Sequence, residues 1–173
     1  MSDEPQFLLA DESDADVILK FMQVYYAFDG HGFEREKARE ALTALLRDPN
    51  LGRAWLIFDS DKPKPYTLDG DAAVGYIVLC FGYSLEWLGR DGFVDEFYLL
   101  EEYRGRGWGR RAMKFVEDAA RAAGIRTLHL EVVESNTAAL QLYRKLGFTE
   151  HRSTFLSKWI AQDSTKPRGR TGL

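Results

Sequence analysis

Apolar residues along the chain recur at two spacings, and the switches between them mark out the elements. "QFLLA" (6–10) is a short apolar run suited to a strand. Behind it Val17, Ile18, Phe21, Met22 and Tyr25 recur at helical intervals, with Ser13 in the capping position. That helix stops near "FDGHG". A second is predicted over about 34–47, where Ala38, Ala41, Leu42, Leu45 and Leu46 share one side before "DPN" turns the chain. Strand-like runs follow at 54–58, 72–84 and 92–100, the last two rich in β-branched and aromatic residues, as central strands are. The polar, Pro- and Asp-rich 59–71 between the first two reads as a mobile surface hairpin loop. Ala112, Phe115, Val116, Ala119 and Ala123 return to helical spacing, stopped by Gly124. A buried strand at 125–133, a capped helix at 135–148 closed by Gly147 and a last strand at 152–160 complete the series. The order is strand, two helices, three strands, helix, strand, helix, strand, which predicts a single α/β domain with a mixed central sheet flanked by helices.

Composition narrows the picture. At 173 residues the chain fits one domain with its own core. The periodic segments occupy 1–160, and 161–173, with no apolar periodicity, reads as a disordered tail. Lys and Arg total 23 against 27 Asp and Glu, a net charge of -4, which gives no reason to expect nucleic acid or an anionic membrane as partner. The acidic N-terminus lacks a basic and apolar leader pattern, and no run approaches the length of a membrane span, so a cytoplasmic protein is expected. The single cysteine, Cys80, excludes an intramolecular disulfide and sits in "VGYIVLC" as a buried small hydrophobe. His31, His129 and His151 lack ligand spacing, and no metal is expected.

Against this acidic background "EEYRGRGWGRR" (101–111) gathers four arginines and three glycines between a strand and a helix. A helix N-terminus leaves backbone N–H groups unpaired and carries about half a positive charge, and glycines let a ligand approach that backbone closely. Arginine there opposes the macrodipole unless an anion is bound, so the stretch reads as a phosphate site. The spacing rejects a dinucleotide fingerprint, which from Gly105 needs glycine where Arg110 stands, and no G-x-x-x-x-G-K-[ST] loop occurs.

What remains, Arg104 to Gly109 as R-G-R-G-W-G, fits [Q/R]-x-x-G-x-[G/A] and resembles the pyrophosphate-binding turn of the GNAT superfamily of acyl-CoA-dependent N-acyltransferases. "SNTAALQLYRKLGF" resembles that family's second signature, an asparagine at a helix start, a tyrosine seven residues on and a closing L-G-F, at the family's separation from the first. The resemblance runs from about Ala72 to Phe148, while 1–71 match only in element order. It implies a GNAT fold with acetyl-CoA as acyl donor. It also implies that the backbone of Phe97, Tyr98 and Leu99 pairs with the pantetheine arm, and that Arg104, Gly105, Arg106, Gly107, Trp108, Gly109 and Arg110 hold the pyrophosphate. Asn136, Ala139 and Tyr143 would line the thiol end. Asn136 also serves as a plain helix cap, and Tyr143 as packing beside Leu140.

Acyl transfer to an amine needs an acid for the departing thiolate and a base for the amine. A phenol suits the first role, which assigns it to Tyr143. For the second, "FVDEFYL" sets Asp95 and Glu96 side by side in a central strand, where neighbours point to opposite faces, so only one faces the acceptor. The resemblance places the catalytic carboxylate at Asp95, with Glu96 as the alternative. Glu86, Trp87 and Asp95, with Asp29 in the loop that walls the acceptor site in family members, suggest a cationic small-molecule amine. "YSLEWLGR" before the paired acids resembles the diamine acetyltransferase branch, with a one-residue insertion near Leu85. A protein N-terminus or lysine as acceptor, and an acyl-CoA-binding sensor without turnover, stay open, as does a homodimer.

Overall fold

The computed structural model describes residues 4–28, 32–61 and 73–160. Most of the predicted loop at 59–71, Asp29 and the tail 161–173 lie outside the described residues. The chain opens with β1 (Pro5–Leu9), a single 3-10 turn (Glu12–Asp14) and α1 (Ala15–Phe28). The cap of this entry is Asp11 rather than the expected Ser13. The Asp11 carboxylate accepts the Ser13 N–H at 2.8 Å, Asp14 accepts the Asp11 N–H at 3.0 Å in a reciprocal box, and the Ser13 hydroxyl is engaged as a donor to Asp11.

After α2 (Arg35–Arg47) come β2 (Gly52–Asp59), β3 (Ala73–Ser84) and β4 (Gly89–Leu99), then α3 (Trp108–Ala122), β5 (Thr127–Leu130) and α4 (Thr137–Lys145). The five strands lie in the order β1-β2-β3-β4-β5, antiparallel except for β4 and β5, which run parallel across the α3 crossover. Strand β3 is buried on both faces, which is why its sequence is a continuous apolar run. Tyr76 and Val78 meet Ile18, Phe21, Met22 and Leu42 of α1 and α2 on one face. On the other, Ile77 and Leu79 meet Met113 and Val116 of α3.

Two predicted strands come out differently. The 125–133 run is a strand only over Thr127–Leu130, because its ladder with β4 ends at Val94↔Leu130. Residues 152–160 form no strand, and Phe155, Leu156 and Ile160 are 76, 86 and 84 % exposed. Apolar β-branched and aromatic content favours a strand only when an edge is there to pair with, and the fold of this chain brings none to this segment.

Candidate active site

The carboxylate pair departs from strand alternation. Leu79 pairs with Val94, but Val78 pairs with Glu96, so Asp95 is the extra residue of a β-bulge. The bulge breaks the two-residue period: Val94 and Phe97 both pack on the α3 side, while Glu96 turns toward α1. Asp95 is exposed, and its charge acts on Tyr26 and Cys80, which belong to the α1 side. The expectation that Asp95 and Glu96 point to opposite faces is therefore overturned, because it assumed an unbroken pleat.

Glu96 is 8 % exposed and takes hydrogen bonds from two phenols: Tyr26 Oη donates to Oε1 at 2.6 Å and Tyr76 Oη donates to Oε2 at 2.7 Å. Burial raises its carboxyl above the usual carboxylate range, the two phenol bonds oppose that, and the Asp95 charge adds to it. Burial next to Glu96 pushes both phenols well above the ordinary tyrosine range. The Cys80 thiol goes up to about 11, through burial first and the two carboxylates second, which suits a packed thiol rather than a reactive one. Tyr26 and Tyr76 were not found from sequence. Their only signal is a polar tip on an apolar face, and pairing them with Glu96 requires α1, β3 and β4 to be brought together.

Beyond Val94 the strand β4 runs on to Leu99 while β5 has ended, so the two part and one edge of β4 opens. The Leu100 N–H donates to the Val74 carbonyl at 2.9 Å. By the alternation of an antiparallel ladder, the backbone groups of Tyr98 then face β3, while those of Phe97 and Leu99 face the opening. The Leu99 carbonyl there accepts the Arg104 Nε–H at 2.8 Å, and the same guanidinium lies 5.2 Å from the centre of the Tyr98 ring. Arg104 thus braces the strand exit, a structural task the sequence reading did not foresee.

The turn into α3 has the geometry a phosphate needs. Gly105 and Gly107 take φ of 73° and 81°, the left-handed region that glycine enters without strain, and Gly107 stands as the N-cap with no side chain over the helix end. No acidic residue lies in the first turn of α3. Arg104, Arg106 and Arg110 are exposed around it. Trp108 differs from expectation in one respect: its ring is 1 % exposed and packs 4.8 Å from Tyr103, so the side chain belongs to the core and not to a ligand surface. Gly109 lets α4 close over this turn, since a Cβ there would meet Leu142 Cδ2 at 3.2 Å.

On α4, Asn136 caps the helix by accepting the Ala139 N–H at 3.1 Å. Tyr143 is half-buried among Phe97, Leu130 and Phe148, the last with ring centres 5.8 Å apart. Tyr143 therefore packs on the α3 side of the sheet, the same side as Phe97. Trp87, in the β3–β4 turn region with its ring 5.4 Å from those of His129 and His151, lines the same groove as Tyr143, while Glu86 is exposed. This groove, of about 1130 Å³, lies on the outer side of β5, lined by Met113 and Ala120 of α3 and by Leu140 and Tyr143 of α4. It includes neither Asp95 nor Glu96 nor the glycine turn, so it marks where the sheet lacks a further strand rather than where phosphates bind. Among the described residues no cluster of three metal-ligating side chains occurs.

The α/β scaffold thus carries a parted pair of parallel strands, a glycine turn opening a helix, a half-buried phenol on α4 and two adjacent carboxylates on β4. Residues 19–148 match the Acetyltransferase (GNAT) family. The thialysine N-epsilon-acetyltransferase of Sus scrofa is 36% identical over 138 residues, 80% of this chain and 80% of the relative. An integron cassette protein from the mobile metagenome of Cole Harbour Salt Marsh is 32% identical, with a TM-score of 0.75 over 91% of this chain and 92% of its own. A predicted acetyltransferase of Clostridium acetobutylicum, solved with acetyl-CoA, has a TM-score of 0.72 at 14% identity over 89% of this chain and 96% of its own, a likeness of fold alone. The chain belongs to the GNAT family of acetyltransferases and is an enzyme of that class.

Proposed function

We propose that this acetyltransferase moves the acetyl group of acetyl-CoA to a primary amine of a small cationic acceptor, diamine- or polyamine-like, by direct transfer in a ternary complex. The observation that supports the reading is the bulge in β4, which leaves Asp95 exposed next to the buried Glu96 on a strand whose pairing with β5 ends at Val94. Acetyl-CoA, when bound, supplies the thioester. Phe97 and Leu99 offer backbone groups to its pantetheine arm, the N–H groups of 105–110 with the surrounding arginines take the pyrophosphate, and Asn136, Ala139 and Tyr143 border the thiol end.

The acceptor arrives protonated. With a lysine-like pKa, freeing its lone pair at pH 7 costs about 4.6 kcal/mol. Asp95, the exposed member of the pair, takes that proton directly or through one water. The amine nitrogen then bonds to the carbonyl carbon as the carbon–sulfur bond breaks; the leaving sulfur takes the phenol proton of Tyr143, and the second proton that the nitrogen sheds on becoming an amide returns to that oxygen. A cationic acceptor is favoured by the two carboxylates and by Glu86 near the β3–β4 turn, and the relative's activity on the ε-amine of thialysine supports the same class.

The unit that folds around this site is proposed to span 1–160 and to work as a homodimer. The support is the exposed apolar side chains of Phe155, Leu156 and Ile160, together with a β5 strand that pairs on one side alone among the described residues.

Release of free thiol from acetyl-CoA in the presence of diamines, polyamines, amino acids and short peptides tests the reading. Diamines are expected to give the fastest turnover; peptides alone active would overturn the acceptor class, and no thiol release with any amine would overturn turnover itself. Tyr143→Phe in the same assay is expected to keep acetyl-CoA affinity and to lose about ten- to a thousandfold in kcat; full turnover would return Tyr143 to packing.

A further inference from the structure

Acetyl transfer as derived above gives Asp95 and Tyr143 a task and leaves Glu96 without one. Yet Glu96 is the one buried charged side chain among the described residues, and each of its oxygens is held by a phenol from a different element. The groups that face it are Tyr25 and Tyr26 from α1, Tyr76 and Cys80 from β3, and Asp95 and Tyr98 from β4, while α2 presents apolar Ala38, Leu42 and Leu45. None of these neighbours can carry a positive charge. The donors that favour the ionised carboxylate are therefore the two phenols, not a cation.

We propose that Tyr26 and Tyr76 are positioning residues for proton transfer: by clamping Glu96 as a fixed anion directly behind Asp95, they set the charge against which the exposed carboxylate takes the proton of the amine. Two carboxylates at neighbouring positions oppose each other's ionisation, so a charge held at Glu96 favours the arrival of a proton or a cation at the bulge. The same doubled charge draws an ammonium group to the bulge. Both effects vanish once Glu96 is protonated, so phenol donation extends the working range of the pair toward acid. The bulge is what makes this arrangement available, because in an unbroken strand the second carboxylate would sit on the far face. The inference rests on the reading of Asp95 as the base.

Its test uses the full-length enzyme, acetyl-CoA and one good diamine acceptor. The kcat/KM of Tyr26→Phe, Tyr76→Phe and the double variant is followed from acid to alkaline pH and divided by that of the wild type, so that the titration of the amine cancels. Losing one donor to a charged acceptor is expected to lower this ratio about tenfold on the acid side relative to its alkaline plateau, and losing both by more. A ratio that is flat with pH in both single variants is what packing alone produces, and it overturns the inference; a ratio that rises toward acid does so as well. One tyrosine lies on a helix and the other on a strand, so if either variant fails to fold the other still decides. Asp95→Asn, run alongside, separates the two claims. A wild-type rate near neutrality removes the base reading and this inference with it, whereas a slow Asp95→Asn with flat tyrosine ratios removes only the clamp.

Discussion

Glu96 is a carboxylate that folding takes out of water, and its linkage to stability has a definite sign. Its folded proton affinity is raised, chiefly by burial. Such a group contributes fully below the ordinary carboxylate range, where it is protonated in both states, and the contribution is lost as pH rises through its folded value. The stability of Glu96→Gln relative to wild type is therefore expected to improve steadily as pH is raised from about 4 to neutrality. Denaturant melts of the two proteins across that range read it directly. A relative stability that worsens with pH would mean that the two phenols outweigh burial and hold the carboxyl below its usual range. The single acid of α1 behaves in the opposite way: the Asp16 carboxyl is lowered, first by its hydrogen bond from Arg39 and further by Arg35, but it is exposed and carries little of the fold.

At the scale of the element, the proposed pyrophosphate binding falls on the start of α3. Its N-terminus combines a left-handed glycine cap, no acid in the first turn and a ring of arginines. Gly107→Asp places a carboxylate on the unpaired N–H groups. Aspartate is among the residues that tolerate the left-handed region, and a negative charge suits a helix start, so the fold is expected to lose only about 1 kcal/mol. Acetyl-CoA affinity, by contrast, is expected to fall at least about a hundredfold in a calorimetric titration, because the anion must now displace a carboxylate that belongs to the chain. Unchanged affinity would show that the pyrophosphate does not bind this turn. Arg104→Glu should weaken binding too, but its cause is mixed, since it also removes the brace on the Leu99 carbonyl.

For the whole molecule, the open question is what covers the exposed apolar end. Phe155, Leu156 and Ile160 face solvent while β5 remains a bare edge, a combination that invites strand pairing between chains. Phe155→Asp with Leu156→Asp is expected to convert the proposed dimer to a monomer in light scattering at micromolar concentration. A wild type that is monomeric at that concentration would set the homodimer aside.

How much of this was legible in the chain depends on the range of the forces involved. Local rules were enough for the element order, for the glycine turn at 104–109 and for the Asn136 cap, because capping, left-handed glycine and apolar periodicity act within a few residues. The same locality misled at Ser13, where the neighbouring Asp11 and Asp14 made the better pair of bonds. It misled again at 152–160, where a strand was expected without an edge to receive it. The face of Asp95 was beyond sequence altogether, since a bulge is a mismatch between two strands and is defined only once β3 and β4 are in register. The phenols on Glu96 come from positions 70 and 20 residues away, and no spacing rule links them. The sequence by itself determined which chemistry the chain could carry, by placing a phosphate turn, a phenol and two acids on it. Only the tertiary structure decided which acid meets the solvent and which is held in the core, because desolvation and hydrogen bonding across three elements arise when those elements pack.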